Sequence, residues 1–273
     1  MKHIFFDIDG TLVGQHKQVT KKTIEGIKEA QKRGHKAYIC TGRAPISIDR
    51  QIQQIGFDGI ISSAGGFVCV GDTYIYENFI NQYILSEVII LFTNRKIQFS
   101  LETKDALYQT PGVRGFFEKK YATIASDNLE LARFLDVVRY PVSQFDILTT
   151  PVTKVCFIAE DKMAFYNIVK YLQEFFIIVI FSKEEDEYIN GEIILKNCTK
   201  GDGMKRILDH VGGHIQDTIA FGNSMNDYHL IASANYGVVS EFAPPKLLAI
   251  ADDTFIDPDK DGIYVSLKKL NII

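Results

Sequence analysis

Two aspartates separated by one residue follow an apolar run near the start of the chain. Asp7 and Asp9 come directly after residues 4–6, and Gly10 follows them. Because side chains alternate along an extended segment, both carboxylates point the same way, and Gly10 lets the backbone turn sharply. Their mutual repulsion is costly unless a cation lies between them or one of them carries a proton. The pair therefore predicts a metal site, acid/base chemistry or both at the carboxyl end of a strand, where open α/β sheets carry their chemistry.

Three later segments place further polar groups at the same predicted edge. Thr41 and Gly42 follow a strand pattern, and a hydroxyl with backbone N–H groups there can bind a phosphate oxygen. Lys200 precedes Gly201 at the start of a helix pattern, where the helix macrodipole disfavours a cation unless an anion is bound. A polar loop over residues 222–227 follows another strand pattern. Taken singly, these segments also fit a solvated surface lysine and a helix-capping loop.

Composition limits the classes of partner. The chain has 273 residues, 46% of them hydrophobic, and a net charge of −4. This balance is typical of a globular protein and provides no polybasic field, so we expect no nucleic-acid and no membrane partner. The longest fully apolar run, over residues 175–181, is too short to span a bilayer, and no signal peptide is recognisable, so we expect a cytoplasmic protein.

The element pattern predicts how these groups are positioned. Strand patterns over 4–7, 37–40 and 59–62 alternate with helix patterns over 19–33 and from Pro45 to about residue 55, and a hairpin follows over 67–76. From 82 to 192 the pattern changes to strands over 97–101, 154–158, 177–181 and 192–195, with helices over 128–136 and 162–175. The first pattern then resumes with a helix over 201–211 and strands over 218–221 and 234–239. We therefore predict an α/β fold whose doubly wound, Rossmann-like parallel-sheet core comprises 1–81 and 193–273, with an inserted α+β domain over 82–192.

These segments, in this order, resemble the motifs of the haloacid dehalogenase superfamily of phosphohydrolases. The likeness is to its Cof-type branch, which has a large α/β cap between the second and third motifs. Residues 7–11 match the first motif, Thr41 the second, Lys200 the third and residues 222–227 the fourth. The resemblance covers most of the chain and extends to residues 251–254 and 261–263, which look like the family's closing strand and loop.

The resemblance implies a reaction and a role for each matched residue. Asp7 would attack phosphorus and form an aspartyl-phosphate, and Asp9 would act as general acid and then as general base. The groups expected to hold the phosphoryl oxygens are Thr41, Lys200, Asn226 and the backbone N–H groups near Ile8 and Gly42. Small phosphorylated metabolites, such as sugar phosphates, are the expected substrates.

A magnesium ion is also implied by the resemblance. Mg2+ would lie between Asp7 and the phosphoryl group. Its other protein ligands would come from Asp9, Asn223 and Asp227. Three positions depart from the family's pattern. Asn223 stands where the family usually has Asp, Ala64 where it often has Asn, and Glu241-Phe242 where it often has Gly-Asn.

Two alternatives remain at this stage. A phospho-acceptor signalling protein also uses Asp, Thr and Lys around Mg2+, but it needs no mobile acid/base two residues after the phosphorylated Asp. A non-catalytic phospho-ligand binder is the second alternative, and Asn223 is the feature that suggests it. Turnover of an aryl phosphate distinguishes the enzyme from the binder.

Overall fold

The computed structural model describes residues 1–16, 18–122 and 138–273. Its strands are β1 (His3–Phe6), β2 (Lys36–Cys40), β3 (Gly59–Ser62), β4 (Phe67–Val70), β5 (Thr73–Glu77), β6 (Gln98–Glu102), β7 (Leu107–Gln109), β8 (Arg139–Pro141), β9 (Lys154–Ala159), β10 (Phe176–Ile180), β11 (Ile189–Leu195), β12 (Thr218–Gly222), β13 (Tyr236–Ser240) and β14 (Asp253–Phe255). Its α-helices are α1 (Lys21–Lys32), α2 (Arg50–Gln53), α3 (Gln82–Asn94), α4 (Pro111–Ala122), α5 (Lys162–Tyr166), α6 (Val169–Phe175), α7 (Lys200–Val211), α8 (Tyr228–Ser233), α9 (Pro245–Leu248) and α10 (Gly262–Lys269). In the described ranges, no helix is long and apolar enough to cross a membrane.

The first of two compact units comprises Met1–Arg43, Ile48–Glu77 and Cys198–Ile273. Its eight-stranded sheet has the order β14-β13-β12-β1-β2-β3-β4-β5. Neighbouring strands from β14 to β3 pair in parallel, and β4 and β5 add an antiparallel hairpin. Phe6 of β1 is in register with Phe221 of β12 and Ile39 of β2. The residues that follow these strands therefore emerge at one edge of the sheet.

Both faces of this sheet are buried. Ile4 and Phe6 pack on one face in a cluster that includes Ile27 of α1 and Leu267 of α10. Phe5, which points the opposite way in the strand, packs in a second cluster together with α7 and α8 residues. Helices on both faces confirm the predicted doubly wound α/β core.

The second compact unit comprises Ala44–Ser47 and Asn78–Asn197. Its six-stranded sheet has the order β10-β11-β9-β6-β7-β8 and is antiparallel except for the β7–β8 pair. Phe92 of α3 and Leu172 of α6 join Phe99 and Phe157 of the sheet in one apolar cluster. The separate sheet confirms that an α+β module interrupts the parallel core in sequence.

Several helices differ from the sequence-based expectation. Helix α3 was not predicted, because its apolar residues occur on several sides and hide the helical period. The expected helix over 162–175 is divided into α5 and α6. The one expected from Pro45 is divided into a 3-10 turn, Pro45–Ser47, and α2, because Asp49 between them is extended. The helix predicted over 128–136 lies outside the described residues.

Candidate active site

The carboxyl end of β1 places Asp7 next to the neighbouring strand β12. The Asp7 N–H donates to the Phe221 carbonyl at 3.0 Å, which extends the strand pairing by one residue. The chain then turns at Gly10, where φ is +80°. A Cβ at Gly10 would overlap Nδ2 of Asn223, so this turn requires glycine for its conformation and for space. The close approach joins the loop after β1 to the loop after β12.

Lys200 lies between two buried carboxylates. Its Nζ donates to Oδ1 of Asp7 at 2.6 Å and to Oδ1 of Asp227 at 2.5 Å, and Oδ1 of Asn226 lies 3.4 Å away. Lys200 is the first residue of α7, and the Thr199 hydroxyl caps that helix by accepting from the Asp202 N–H. The start of α7 thus fixes the lysine, and the two aspartates provide the anionic surroundings that a cation at this position needs.

Two carboxylates facing one ammonium leave one negative charge in excess. Burial raises the pKa of Asp7, and although Lys200 opposes this effect, repulsion from Asp227 and Asp9 adds to it, bringing the value to about 7. Burial alone would lower the pKa of Lys200, but Asp227 and Asp7 outweigh it and hold that pKa above its usual value. The lysine therefore stays charged, and the Asp7 carboxylate is a group whose charge a cation would stabilise.

The loop after β12 is organised around Asp227. Oδ2 of Asp227 accepts from the backbone N–H groups of Asn223 at 2.8 Å and Ser224 at 3.0 Å. The Asn223 side-chain carbonyl accepts from the Thr11 hydroxyl at 3.3 Å. Both oxygens of Asp227 thus have protein partners, whereas Asn223 places a neutral amide oxygen beside the loop after β1. The Ser224 hydroxyl donates to Oδ1 of Asn226 at 2.7 Å.

Thr41 is buried at the end of β2. Its N–H donates to the Ile61 carbonyl at 2.8 Å, and its hydroxyl oxygen accepts from the Arg43 N–H at 3.2 Å. The hydroxyl proton of Thr41 can therefore be directed to another acceptor, such as a phosphate oxygen. The preceding residue, Cys40, donates its thiol to the Lys200 carbonyl at 3.8 Å, which links the end of β2 to the start of α7.

Asp9 pairs with a guanidinium, whereas Asp7 pairs with the Lys200 ammonium. The Arg43 guanidinium donates through Nε to Oδ2 of Asp9 at 2.8 Å and through Nη2 to Oδ1 at 2.7 Å. About half of the Asp9 side chain, 51%, is exposed. Sequence reasoning did not select Arg43 as a site residue. Its position directly after Thr41 and Gly42 was the only signal that could have identified it.

A turn after β3 packs against the start of α7. Ser63, Ala64 and Gly65 have φ values of 47°, 58° and 115°. The Ser63 N–H donates to the Arg43 carbonyl at 2.7 Å, and the Ala64 N–H donates to the Thr41 carbonyl at 3.1 Å. The turn is therefore tied to the segment after β2, and it contains Ala64, one of the positions that depart from the motif pattern noted in the sequence. Phe242, at the other departure, is 80% exposed.

Most of the predicted site residues, together with Arg43, form two groups in the first unit. One contains Asp7, Lys200, Asn226 and Asp227 around a single ammonium, and the other contains Asp9 and Arg43 beside Thr41. Ile8 is buried between the two aspartates, and its carbonyl accepts from the Val13 N–H at 2.9 Å. Gly42 is partly buried between Thr41 and Arg43.

Comparisons with known proteins show the family of this chain. A sequence profile of haloacid dehalogenase-like hydrolases matches residues 4–267. The phosphatase YwpJ of Bacillus subtilis is 24% identical over 291 aligned positions, covering 99% of this chain and all of YwpJ. The solved structure of a haloacid dehalogenase-like hydrolase from B. subtilis matches with a TM-score of 0.86 at 20% identity, covering 99% of this chain and 100% of the other. The subclass IIB sugar phosphatase BT4131 matches with a TM-score of 0.80 at 22% identity, and both chains are fully covered. The resemblance noted from the motifs is thereby confirmed, and the chain belongs to the haloacid dehalogenase-like hydrolase family.

Proposed function

We propose that this enzyme hydrolyses small phosphate monoesters through an aspartyl-phosphate on Asp7. The observation that carries the proposal is the Asp7 carboxylate, buried at the end of β1 and held by Lys200 Nζ at 2.6 Å. A carboxylate oxygen fixed in this way can attack phosphorus while the ammonium stabilises the negative charge around it.

The reaction divides into two displacements. In the first, an Asp7 oxygen forms a bond to phosphorus, the ester P–O bond breaks, and Asp9 gives its proton to the leaving oxygen. In the second, a water oxygen attacks the phosphorus of the aspartyl-phosphate, and Asp9 takes a proton from that water. The bond between Asp7 and phosphorus then breaks, which releases inorganic phosphate and restores both aspartates.

The phosphoryl oxygens need donors of hydrogen bonds or positive charge. Lys200 supplies an ammonium, and Thr41 supplies a hydroxyl whose oxygen already accepts from Arg43 N–H. We assign the same role to Asn226, through its amide, and to the backbone N–H groups near Ile8 and Gly42. Donors that are already in place require no reorganisation when charge shifts during transfer.

Magnesium fits the oxygen donors of this site. In the part of the chain that the structure describes, no three His, Cys, Asp or Glu side chains group as a metal site. We assign as its ligands the Asp7 carboxylate, the Asp9 main-chain carbonyl and the Asn223 amide oxygen, with the charge of Asp227 nearby. Mg2+ is commonly bound by one or two carboxylates together with substrate phosphates and waters. When bound, it supplies positive charge against the excess negative charge of the site and the phosphoryl group.

The substrate class and the role of the second unit rest on the relatives. One matched solved protein is a sugar phosphatase, and others are named phosphatases. We assign small phosphorylated metabolites, such as sugar phosphates, to this chain as well. Residues 82–192 would then act as the cap that selects the leaving group, since this segment interrupts the catalytic core in sequence.

Release of phosphate from 4-nitrophenyl phosphate, measured with and without Mg2+, tests the proposal. We expect activity that EDTA abolishes and that Asp7→Asn reduces to background. The matched control is Asp209→Asn, an exposed aspartate in α7, which should retain wild-type turnover. Full activity of Asp7→Asn would refute the covalent role of Asp7. Phosphate binding without turnover in the wild type would favour the non-catalytic binder, for which Asn223 is the supporting feature.

A further inference from the structure

Arg43 contacts the Asp9 carboxylate at both of its oxygens. The two distances, 2.8 and 2.7 Å, are those of a bidentate guanidinium–carboxylate pair. Such a pair fixes the position and the plane of the carboxylate together, which a single ammonium cannot do. Because half of the Asp9 side chain is exposed, burial contributes little to its orientation.

Arg43 is itself held from the other side. Its Nη1 donates to Oδ2 of Asp49 at 3.0 Å, and only 21% of the Arg43 side chain is exposed. Asp49 precedes α2 but makes no side-chain cap hydrogen bond to that helix. The Arg43 N–H and carbonyl also bind Thr41 and Ser63, so the backbone of this residue is fixed as well. The guanidinium therefore reaches Asp9 from a rigid support.

We propose that Arg43 is the positioning residue for Asp9, and that Asp49 supports Arg43 in this role. The inference rests on the proposed function, in which Asp9 transfers protons. When Asp9 carries its proton, one carboxyl oxygen still accepts from Arg43 while the other holds the proton for the leaving oxygen. The guanidinium thus determines where that proton is delivered.

The identity of the leaving group separates this role from a general structural one. Nitrophenolate leaves without a proton, whereas the alkoxide of glycerol phosphate needs one from Asp9. The value of kcat/KM reports the steps up to loss of the leaving group, so the ratio of the two kcat/KM values measures proton delivery. Arg43→Gln should lower kcat/KM for glycerol phosphate at least about tenfold more than kcat/KM for 4-nitrophenyl phosphate.

Two further variants and a control make the test specific. Arg43→Lys should restore part of the loss with glycerol phosphate, since an ammonium can still contact one Asp9 oxygen. Asp49→Asn should shift the ratio in the same direction as Arg43→Gln, but by only about two- to fivefold. Arg33→Gln, which removes an exposed arginine paired with Glu29 at 2.8 Å, should leave the ratio unchanged.

A double-mutant cycle provides the decisive comparison. In an Asp9→Asn background, Arg43→Gln should have no further effect on the ratio, because the group that it positions is gone. An equal loss for both substrates, or an undiminished effect in the Asp9→Asn background, would overturn the inference. If Arg43→Gln does not fold, an unchanged ratio in Asp49→Asn overturns it instead. A wild-type enzyme whose turnover does not need Asp7 would refute the proposed function itself, which is a separate result.

Discussion

At the residue scale, the central feature is one ammonium shared by two buried aspartates. Lys200 holds Asp7 and Asp227 at nearly equal distances, 2.6 and 2.5 Å. Asp227 is satisfied further by two backbone N–H groups, whereas Asp7 sits at the end of its strand with a raised pKa. The asymmetry suits Asp227 to a supporting role and favours the proposal that Asp7 is the reactive carboxylate.

This asymmetry gives the metal-free protein a pH-dependent stability. With a folded pKa of about 7 and an unfolded value of about 4, Asp7 binds more protons in the folded state between these pH values. The free energy of unfolding therefore falls as pH rises through this window. In EDTA at about pH 8, Asp7→Asn should be more stable than wild type by roughly 2–4 kcal/mol, and the difference should vanish near about pH 4. Urea unfolding at both pH values measures it. Equal stability of the two proteins at the higher pH would contradict the shift.

The neutral side chain of Asn223 bears on metal affinity. Asn223→Asp adds a negative charge to the proposed magnesium site, and its backbone contact with Asp227 does not depend on the side chain. We expect the added charge to strengthen Mg2+ binding by about 1–2 kcal/mol. The Mg2+ concentration for half-maximal activity should therefore fall about five- to thirtyfold. Asn235→Asp, at an exposed position, is the control. An unchanged magnesium requirement would mean that Asn223 is not a magnesium ligand.

At the element scale, the turn after β3 positions the start of α7. A Cβ at Gly65 would overlap the Thr199 carbonyl oxygen, and φ there is +115°. Gly65→Ala should therefore lower the free energy of unfolding by roughly 2–5 kcal/mol and reduce turnover, because Lys200 follows Thr199. Gly71→Ala is the matched control, since φ is +55° but no atom lies within 4 Å of the added Cβ. It should cost only about 1–2 kcal/mol and leave turnover intact. Similar losses of stability and activity in both variants would show that the contact with Thr199 is unimportant.

The elements also show why the sequence predicted some parts of the fold and missed others. Strands β1, β2, β3 and β12 are short apolar runs that end at glycine or polar residues, and these signals located the sheet edge and the residues after it. Helix α3 has no such clear pattern, because Ile89, Ile90 and Leu91 place apolar groups on successive sides. Arg43 was missed for another reason. Its partner Asp49 is six residues away and is extended just before α2. The sequence predicted a continuous helix over this segment, so it gave no indication that Asp49 could reach Arg43.

At the scale of the whole molecule, each compact unit has its own apolar core and its own buried ion pairs. In the second unit, Lys154 Nζ lies 2.7 Å from Oε2 of Glu192 and 3.2 Å from Oε2 of Glu102. Lys154→Met would leave the buried Glu192 carboxylate and the partly buried Glu102 carboxylate without this cation. The unfolding free energy of the second unit should fall by roughly 3–5 kcal/mol.

The loss should be confined to one unit if the units unfold separately. Guanidinium unfolding followed by hydrogen exchange should show earlier exchange in β9 and β11, with β1 and β12 unchanged. Lys170→Met, an exposed lysine in α6, is the control and should change stability by less than about 0.5 kcal/mol. Equal destabilisation of β1 and β9 would mean that the chain unfolds as one cooperative body.

The proposed covalent phosphorylation of Asp7 can be observed directly. Enzyme quenched in acid during turnover of 4-nitrophenyl phosphate with Mg2+ can be digested and analysed by mass spectrometry. We predict one added phosphoryl group on the peptide that contains Asp7, absent from Asp7→Asn and more abundant in Asp9→Asn, because the second displacement then lacks its base. Steady turnover with no phosphoryl group on that peptide in either the wild type or Asp9→Asn would contradict the account.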